Sequence, residues 1–220
     1  MKKYAINRRY VLLSGMAWMA LATVGGSANA TEAKKLEQKA LMQFLSTVKS
    51  AAGEFTQETR DRNGRVTATA EGQFAFLRPG SFDWVIEKPY RQRIVSDAKT
   101  LWIYDEDLMQ VTERAVADAL PTTPAAVLFG EGRIPDGWRT ETLPADANAV
   151  TLIPDVPAGG FEAVTIRFGD GALPVALELL DSFDQRTVIR FTRFTPQQVP
   201  QSRFAFTAPK GVEIVRDMPG

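Results

Sequence analysis

The chain has 220 residues, of which 26 are basic, 26 are acidic and 45% are hydrophobic. This length and composition are typical of one globular domain and do not indicate disorder. Because the sequence has no histidine and no cysteine, it excludes disulfides, cysteine nucleophiles and histidine-based triads and lacks the usual ligands of zinc, so no metal and no cofactor is expected.

The first thirty residues have the pattern of a secretory signal peptide. Four basic and no acidic residues occur in residues 1–30, an apolar run covers residues 10–24, and Ala28-Asn29-Ala30 provides a small-residue cleavage site. Cleavage near Ala30 is expected to leave residues 31–220 as one exported domain. The Arg8-Arg9 pair leaves both the ordinary secretory route and the twin-arginine route open. The mature chain then has 22 basic and 26 acidic residues, a net charge of −4, which does not favour nucleic acid or anionic lipid as partners.

After the signal, the hydrophobic period first indicates a helix and then strands. Apolar residues recur at three- and four-residue steps from Leu36 to Val48, which predicts an amphipathic helix that ends at Gly53. From Glu54 the period changes to two, and Asn63-Gly64 is typical of a hairpin turn. The strands predicted in this part of the chain are 55–60, 65–78, 82–87, 91–96, 100–104 and 108–112.

Two short helices interrupt the strands in the middle of the chain. The first helix is predicted at residues 115–120. Thr123-Pro124 is a favourable start for a second helix that runs to Phe129. Strands are then predicted at 138–142, 149–153, 164–168, 173–181, 186–194, 204–207 and 212–216. About ten or eleven antiparallel strands make a sheet that must curl, and helices that plug its concave side would cover its apolar face.

One arginine and the aromatic residues of the strands are the candidate functional groups. Gly72, Phe74, Phe76 and Arg78 have the same parity, so the guanidinium follows two phenylalanines on one face of a regular strand. It either donates to buried acceptors or reaches water at the end of the strand, and the aromatic residues either fill the barrel or line a ligand cavity. The acidic run 105–107 is interpreted as a solvated turn in preference to a metal or catalytic site.

Several short motifs together resemble one family. They are Gly72-Gln73-Phe74, Arg78-Pro79-Gly80-Ser81-Phe82-Asp83-Trp84, Ile94-Val95-Ser96-Asp97, Leu101-Trp102-Ile103-Tyr104 and the tail from Phe204 to Val212. In their order along the chain they resemble the periplasmic outer-membrane lipoprotein carriers, the LolA family. Ala98 departs from the pattern, because the family usually has glycine there. The turn at Ala98 either does not need a positive φ or is slightly strained.

The resemblance implies a fold and a set of site residues. The fold is an incomplete, unclosed antiparallel β-barrel of about 11 strands, with an α-helical lid over an apolar cavity. Arg78 is expected to close the lid by hydrogen bonds to its backbone, and Phe82 to contact a transporter. The candidates for the acyl-chain cavity are Phe74, Phe76, Trp84, Ile86, Trp102 and Leu128.

The resemblance also implies a function, and it is not catalysis. The protein is expected to be a monomeric periplasmic chaperone that accepts acylated lipoproteins from an inner-membrane ABC transporter. It would shield their acyl chains and deliver them to an outer-membrane acceptor of the LolB type. A lipidated acceptor would need a cysteine, which this chain lacks. The alternative is a soluble domain of the same half-barrel fold that senses lipids or lipoproteins.

Overall fold

Twelve strands form one sheet in the computed structural model, which describes residues 39–119, 128–142, 148–156 and 160–216. The strands are β1 (Ser50–Arg60), β2 (Val66–Leu77), β3 (Ser81–Lys88), β4 (Gln92–Asp97), β5 (Thr100–Asp105), β6 (Gln110–Ala115), β7 (Trp138–Thr142), β8 (Ala149–Pro154), β9 (Phe161–Phe168), β10 (Pro174–Asp181), β11 (Arg186–Pro196) and β12 (Glu213–Arg216). The predicted signal peptide and the predicted helix start at Thr123-Pro124 lie outside the described residues.

The strand order shows that the sheet is not closed. Neighbouring strands follow the order β12-β6-β5-β4-β3-β2-β1-β11-β10-β9-β8-β7, so β12 and β7 are its two edges. The predicted mainly-β, unclosed barrel is thus confirmed, with twelve strands instead of about eleven. The pairing of β12 with β6 is parallel, whereas all other pairs are antiparallel as expected.

A helix covers one face of the sheet. Residues 39–47 are helical (α1), and Leu41, Phe44 and Leu45 on this helix are fully buried against the sheet. The predicted amphipathic pattern is therefore confirmed for the described part of the helix.

The predicted end of this helix at Gly53 is wrong, because Gly53 lies inside β1. It pairs with Phe74 of β2. A Cβ atom on Gly53 would overlap the carbonyl oxygen of Arg193 and come within 2.7 Å of Cε1 of Phe74. Glycine is needed here for close packing in the sheet and not for the end of a helix.

The other face of the sheet is crossed by the C-terminal strap, which we define as residues 197–212. A strand was predicted at 204–207, but the chain forms a 3-10 helix, Gln201–Phe204, instead. The ring of Phe204 is fully buried and packs with Ala75 of β2. The strap then leads the chain to the outer edge of β6. The chain therefore runs through β12 in the same direction as through β6, so the two strands pair in parallel.

A buried carboxylate fastens this strap. Asp83 of β3 is only 5% exposed, and its oxygens accept hydrogen bonds from Nε of Arg93 at 2.7 Å and Nε of Arg203 at 3.3 Å. Nη2 of Arg93 also donates to the carbonyl of Arg203 at 3.2 Å. Asp83, the sixth residue of the motif 78–84, thus faces away from the apolar side of the sheet.

Two local predictions are resolved by the backbone. The helix predicted at 115–120 is present as α2 (Val116–Ala119), after the end of β6. Ala98, in the turn between β4 and β5, has a φ of 77°. The strained alternative for this turn is therefore the correct one, since a positive φ is unfavourable for alanine.

Candidate functional site

Arg78 lies at the junction of the sheet, helix α1 and the segment that begins at Leu128. It comes directly after β2, on the face that carries Phe74 and Phe76. Its guanidinium carbon lies 4.8 Å from the ring centroid of Phe44 on α1 and 5.2 Å from that of Phe76. The predicted succession of two phenylalanines and a guanidinium on one face is confirmed.

The guanidinium donates to backbone carbonyls of two different elements. Nε donates to the carbonyl of Val48, just after α1, at 3.1 Å. Nη2 donates to the carbonyl of Leu128 at 2.7 Å. The side chain therefore does not simply reach water at the end of its strand. One cation joins α1 and the segment at Leu128 to the sheet.

Arg78 is buried without a carboxylate partner among the described residues. Its relative exposure is 9%, and burial lowers the pKa of Arg78 to about 10. The guanidinium remains charged at neutral pH, because this value is well above 7. A buried cation needs hydrogen-bond acceptors, and here two carbonyls satisfy Nε and Nη2 while two aromatic ring faces attract the charge.

Residues 128–132, which we call the capping segment, make a second backbone contact with the sheet. The N–H of Gly80 donates to the carbonyl of Phe129 at 2.9 Å. The ring of Phe129 lies 5.1 Å from that of Phe82 and 5.3 Å from that of Phe76. The capping segment thus closes over the aromatic face of β2 and β3.

An aromatic cluster fills the space below the capping segment. The rings of Phe55 and Trp84 stack with centroids 3.9 Å apart, and Phe74 lies 6.0 Å from Trp84. Phe191 and Phe194 of β11 both lie 5.2 Å from Phe74. Such a surface is apolar, and its rings can rotate. It therefore makes nondirectional contacts with hydrocarbon.

Most cavity candidates lie together in this cluster. Phe74, Phe76 and Leu128 are buried in it, and Trp84 and Ile86 pack against it while partly exposed. Trp102 does not lie there. It occupies the opposite face of β5, 5.7 Å from the ring of Phe206 in the C-terminal strap, so its placement with the other candidates is wrong. Leu101 and Ile103 of the same strand have the parity that faces the core.

Phe82, the expected transporter contact, is buried in this structure. Its side chain is 4% exposed and lies under Phe129.

Several members of the site were not singled out in the sequence. Phe44, Phe55 and Phe129 all contact the candidates directly. Their positions in the helical and alternating patterns indicated burial. Which rings would meet, however, depends on how strands distant in sequence curl toward one another.

The acidic run at 105–107 forms a turn, as interpreted. The carboxylate of Asp105 accepts a hydrogen bond from the N–H of Leu108 at 3.0 Å, and Glu106 pairs with Arg91 at 3.3 Å. In the parts of the chain that the structure describes, no cluster of acidic residues could hold a metal ion. No helix in those parts is long and apolar enough to cross a membrane.

Comparison with known proteins gives one consistent result. The family model described as "Outer membrane lipoprotein carrier protein LolA" matches residues 46–207. An outer-membrane lipoprotein carrier protein of Bordetella avium is 39% identical over 220 residues, which covers 98% of this chain and all of the relative. That of Cupriavidus necator is 36% identical and covers 95% of this chain and 99% of the relative.

A solved structure has a similar fold. The crystal structure of a LolA superfamily protein from Nitrosomonas europaea aligns with a TM-score of 0.50 and 11% sequence identity. The alignment covers 79% of this chain and 97% of that protein. At this identity the likeness supports the half-barrel fold alone.

Proposed function

The chain belongs to the outer membrane lipoprotein carrier family LolA, and on that premise we propose that it carries lipoproteins through the periplasm. In this proposal it accepts them from an ABC transporter of the inner membrane and delivers them to an acceptor at the outer membrane. Residues 1–30 direct its export, and it acts as a monomer without cofactor or catalysis.

The physical need for such a carrier follows from the cost of exposing acyl chains to water. At ~0.8 kcal/mol for each methylene, a chain of about fifteen methylenes costs roughly 12 kcal/mol in water. A lipoprotein with two or three such chains stays in its membrane unless a protein covers them. The cover must also release them, which favours apolar contact over strong directional bonds.

The observation that carries the proposal is the pair of bonds by which Arg78 holds two covering elements over the aromatic cluster. Val48 and Leu128 accept these bonds through their carbonyls. Breaking both bonds frees α1 and the capping segment to move away from the sheet. We propose that the acyl chains then enter among Phe74, Phe76, Trp84, Ile86 and Leu128, and that Arg78 controls closing.

Phe82 is proposed to meet the transporter during loading. Because Phe129 covers it in the closed form, the contact would form only after the capping segment has moved. The transporter would then recognise an open, empty carrier and ignore a closed one.

The experiment that tests the proposed function is to recover the protein from the periplasm and identify its bound molecules by mass spectrometry. The proposal expects acylated lipoproteins in stoichiometric amounts, which pass to outer-membrane vesicles that contain the acceptor. A sensing domain of the same fold would bind lipoprotein but not pass it on. Recovery without any acylated protein, under conditions of active lipoprotein export, contradicts the proposal.

A further inference from the structure

One nitrogen of Arg78 has no hydrogen-bond partner among the described residues. An arginine has five N–H donors, and here Nε and Nη2 each donate to a carbonyl. Nη1 is buried and makes no hydrogen bond to any described residue. Buried donors of a charged group are rarely left unpaired, because an unpaired donor loses its hydrogen bonds to water and gains none in the protein.

The described residues around Nη1 offer it no hydrogen-bond acceptor. The guanidinium lies near the faces of the Phe44 and Phe76 rings, which attract the cation but accept hydrogen bonds poorly. No ion pair joins Arg78 to a carboxylate of the described residues, although many other arginines have one. A free donor of this kind is therefore suited to an oxygen that comes with a ligand.

Gly132 packs against the side chain of Arg78 without a side chain of its own. A Cβ atom at this position would lie 3.9 Å from Nη1 and 3.5 Å from Cδ of Arg78, and it would come 2.8 Å from the carbonyl oxygen of Leu45. Gly132 also has a φ of 78°, which disfavours other residues. Its neighbours Glu131 and Arg133 are exposed and paired with each other. The donor thus lies between the aromatic cluster and the surface.

We propose that Nη1 of Arg78 binds the oxygen at the polar end of a bound acyl chain. The oxygen is the carbonyl of an ester that links an acyl chain to the glyceryl group of a lipoprotein, or the carboxylate of a free fatty acid; both place an acceptor oxygen at the end of the same hydrocarbon. This inference rests on the proposed carrier function and adds a polar recognition point to an otherwise apolar site.

The position of Nη1 also sets the direction of the ligand. The polar end lies beside the guanidinium, and the hydrocarbon runs inward past Phe76 toward Trp84. The hydrophilic protein part of a cargo then remains outside the half-barrel. The arrangement favours amphiphiles over plain hydrocarbon of the same length.

The test compares two ligands on the same wild-type protein. One is a diacylglyceryl-cysteine peptide with two ester-linked chains, and the other is its analogue in which ether links replace both esters. A charge-assisted hydrogen bond predicts that the ester peptide binds about tenfold tighter or more. Arg78→Leu should lower this ratio to about one. Arg133→Gln, which removes a neighbouring exposed arginine, should leave the ratio unchanged.

The ratio of the two affinities reports the oxygen contact and not lid closing, because any change in closing alters the affinity for both peptides equally. Palmitate is the third ligand. If Arg78→Leu lowers the affinity for palmitate by a larger factor than the affinity for the ester peptide, the carboxylate is the preferred source of the oxygen. Equal binding of ester and ether peptides to the wild type overturns the inference but leaves the carrier function intact. If neither peptide binds, the proposed function fails as well.

Discussion

The ring of Phe82 stacks beneath that of Phe129, with centroids 5.1 Å apart and planes inclined by 26°. The residue proposed to meet the transporter is thus covered by the element proposed to move. In the proposed function this stack would couple loading to opening, because a partner that binds Phe82 would favour the form in which Phe129 has left it.

Phe82→Glu is predicted to weaken the packing of the capping segment on the sheet. The backbone pairs of Phe82 with Phe76 and Ser96 remain, so far-ultraviolet circular dichroism should be unchanged. A carboxylate in a site that is 4% exposed disfavours the closed form, and hydrophobic dye binding should increase.

The same variant tests the proposed transporter contact. Binding to the purified transporter should weaken about tenfold or more, as is usual for the loss of a central aromatic contact. Phe183→Glu is the matched control, since this ring is 76% exposed on the β10–β11 hairpin. Wild-type affinity for the transporter in Phe82→Glu removes Phe82 from the site.

Two tryptophans on opposite faces of the sheet provide a second test. Trp84→Ala removes a ring that stacks on Phe55 at 3.9 Å and should lower the free energy of unfolding by about 3 kcal/mol. It should also weaken binding of an acylated peptide, because the ring belongs to the aromatic cluster. Denaturant unfolding and a binding titration measure the two effects.

Trp102→Ala is the matched control for this experiment. It removes a ring that packs on Phe206 at the other face, so it should destabilise the protein without changing its affinity for the acylated peptide. If both variants lose affinity equally, the assignment of faces to functions is incorrect.

Ala98 allows a prediction about stability alone. Because its φ is 77°, Ala98→Gly should relieve strain and stabilise the protein by about 0.5–1 kcal/mol, after allowance for the greater freedom of glycine in the unfolded chain. Ala68→Gly in β2, at an exposed position, should instead destabilise it by a similar amount. The midpoint of urea unfolding measures both, and destabilisation by Ala98→Gly contradicts the strain argument.

The sequence was informative where a residue's role depends on its own strand or turn. The alternation in β2 placed Phe74, Phe76 and Arg78 correctly on one face, and Asn63-Gly64 marked the hairpin between β1 and β2. Local periodicity suffices for such features because side chains alternate regularly along a strand.

Other features depend on contacts between distant segments, and there the sequence predictions were wrong or silent. Gly53 was assigned to a helix end because its true neighbour, Arg193, lies far along the chain. Phe204 was assigned to a strand, although the outer face of β2 holds it in a 3-10 helix. Trp102 was placed with the cavity residues because its motif does not reveal which face of β5 is covered by the strap.

The measurement that tests the central claim most directly is acceptor-stimulated release of a lipoprotein from purified, loaded Arg78→Leu. The closed, empty form loses its bonds to Val48 and Leu128, each worth about 1.5–3 kcal/mol, whereas the loaded form loses at most the one bond from Nη1. The balance shifts toward the loaded form, so the variant should load normally and release at least about tenfold more slowly than the wild type. Release at the wild-type rate from a normally folded, loaded variant contradicts the claim that Arg78 closes the carrier.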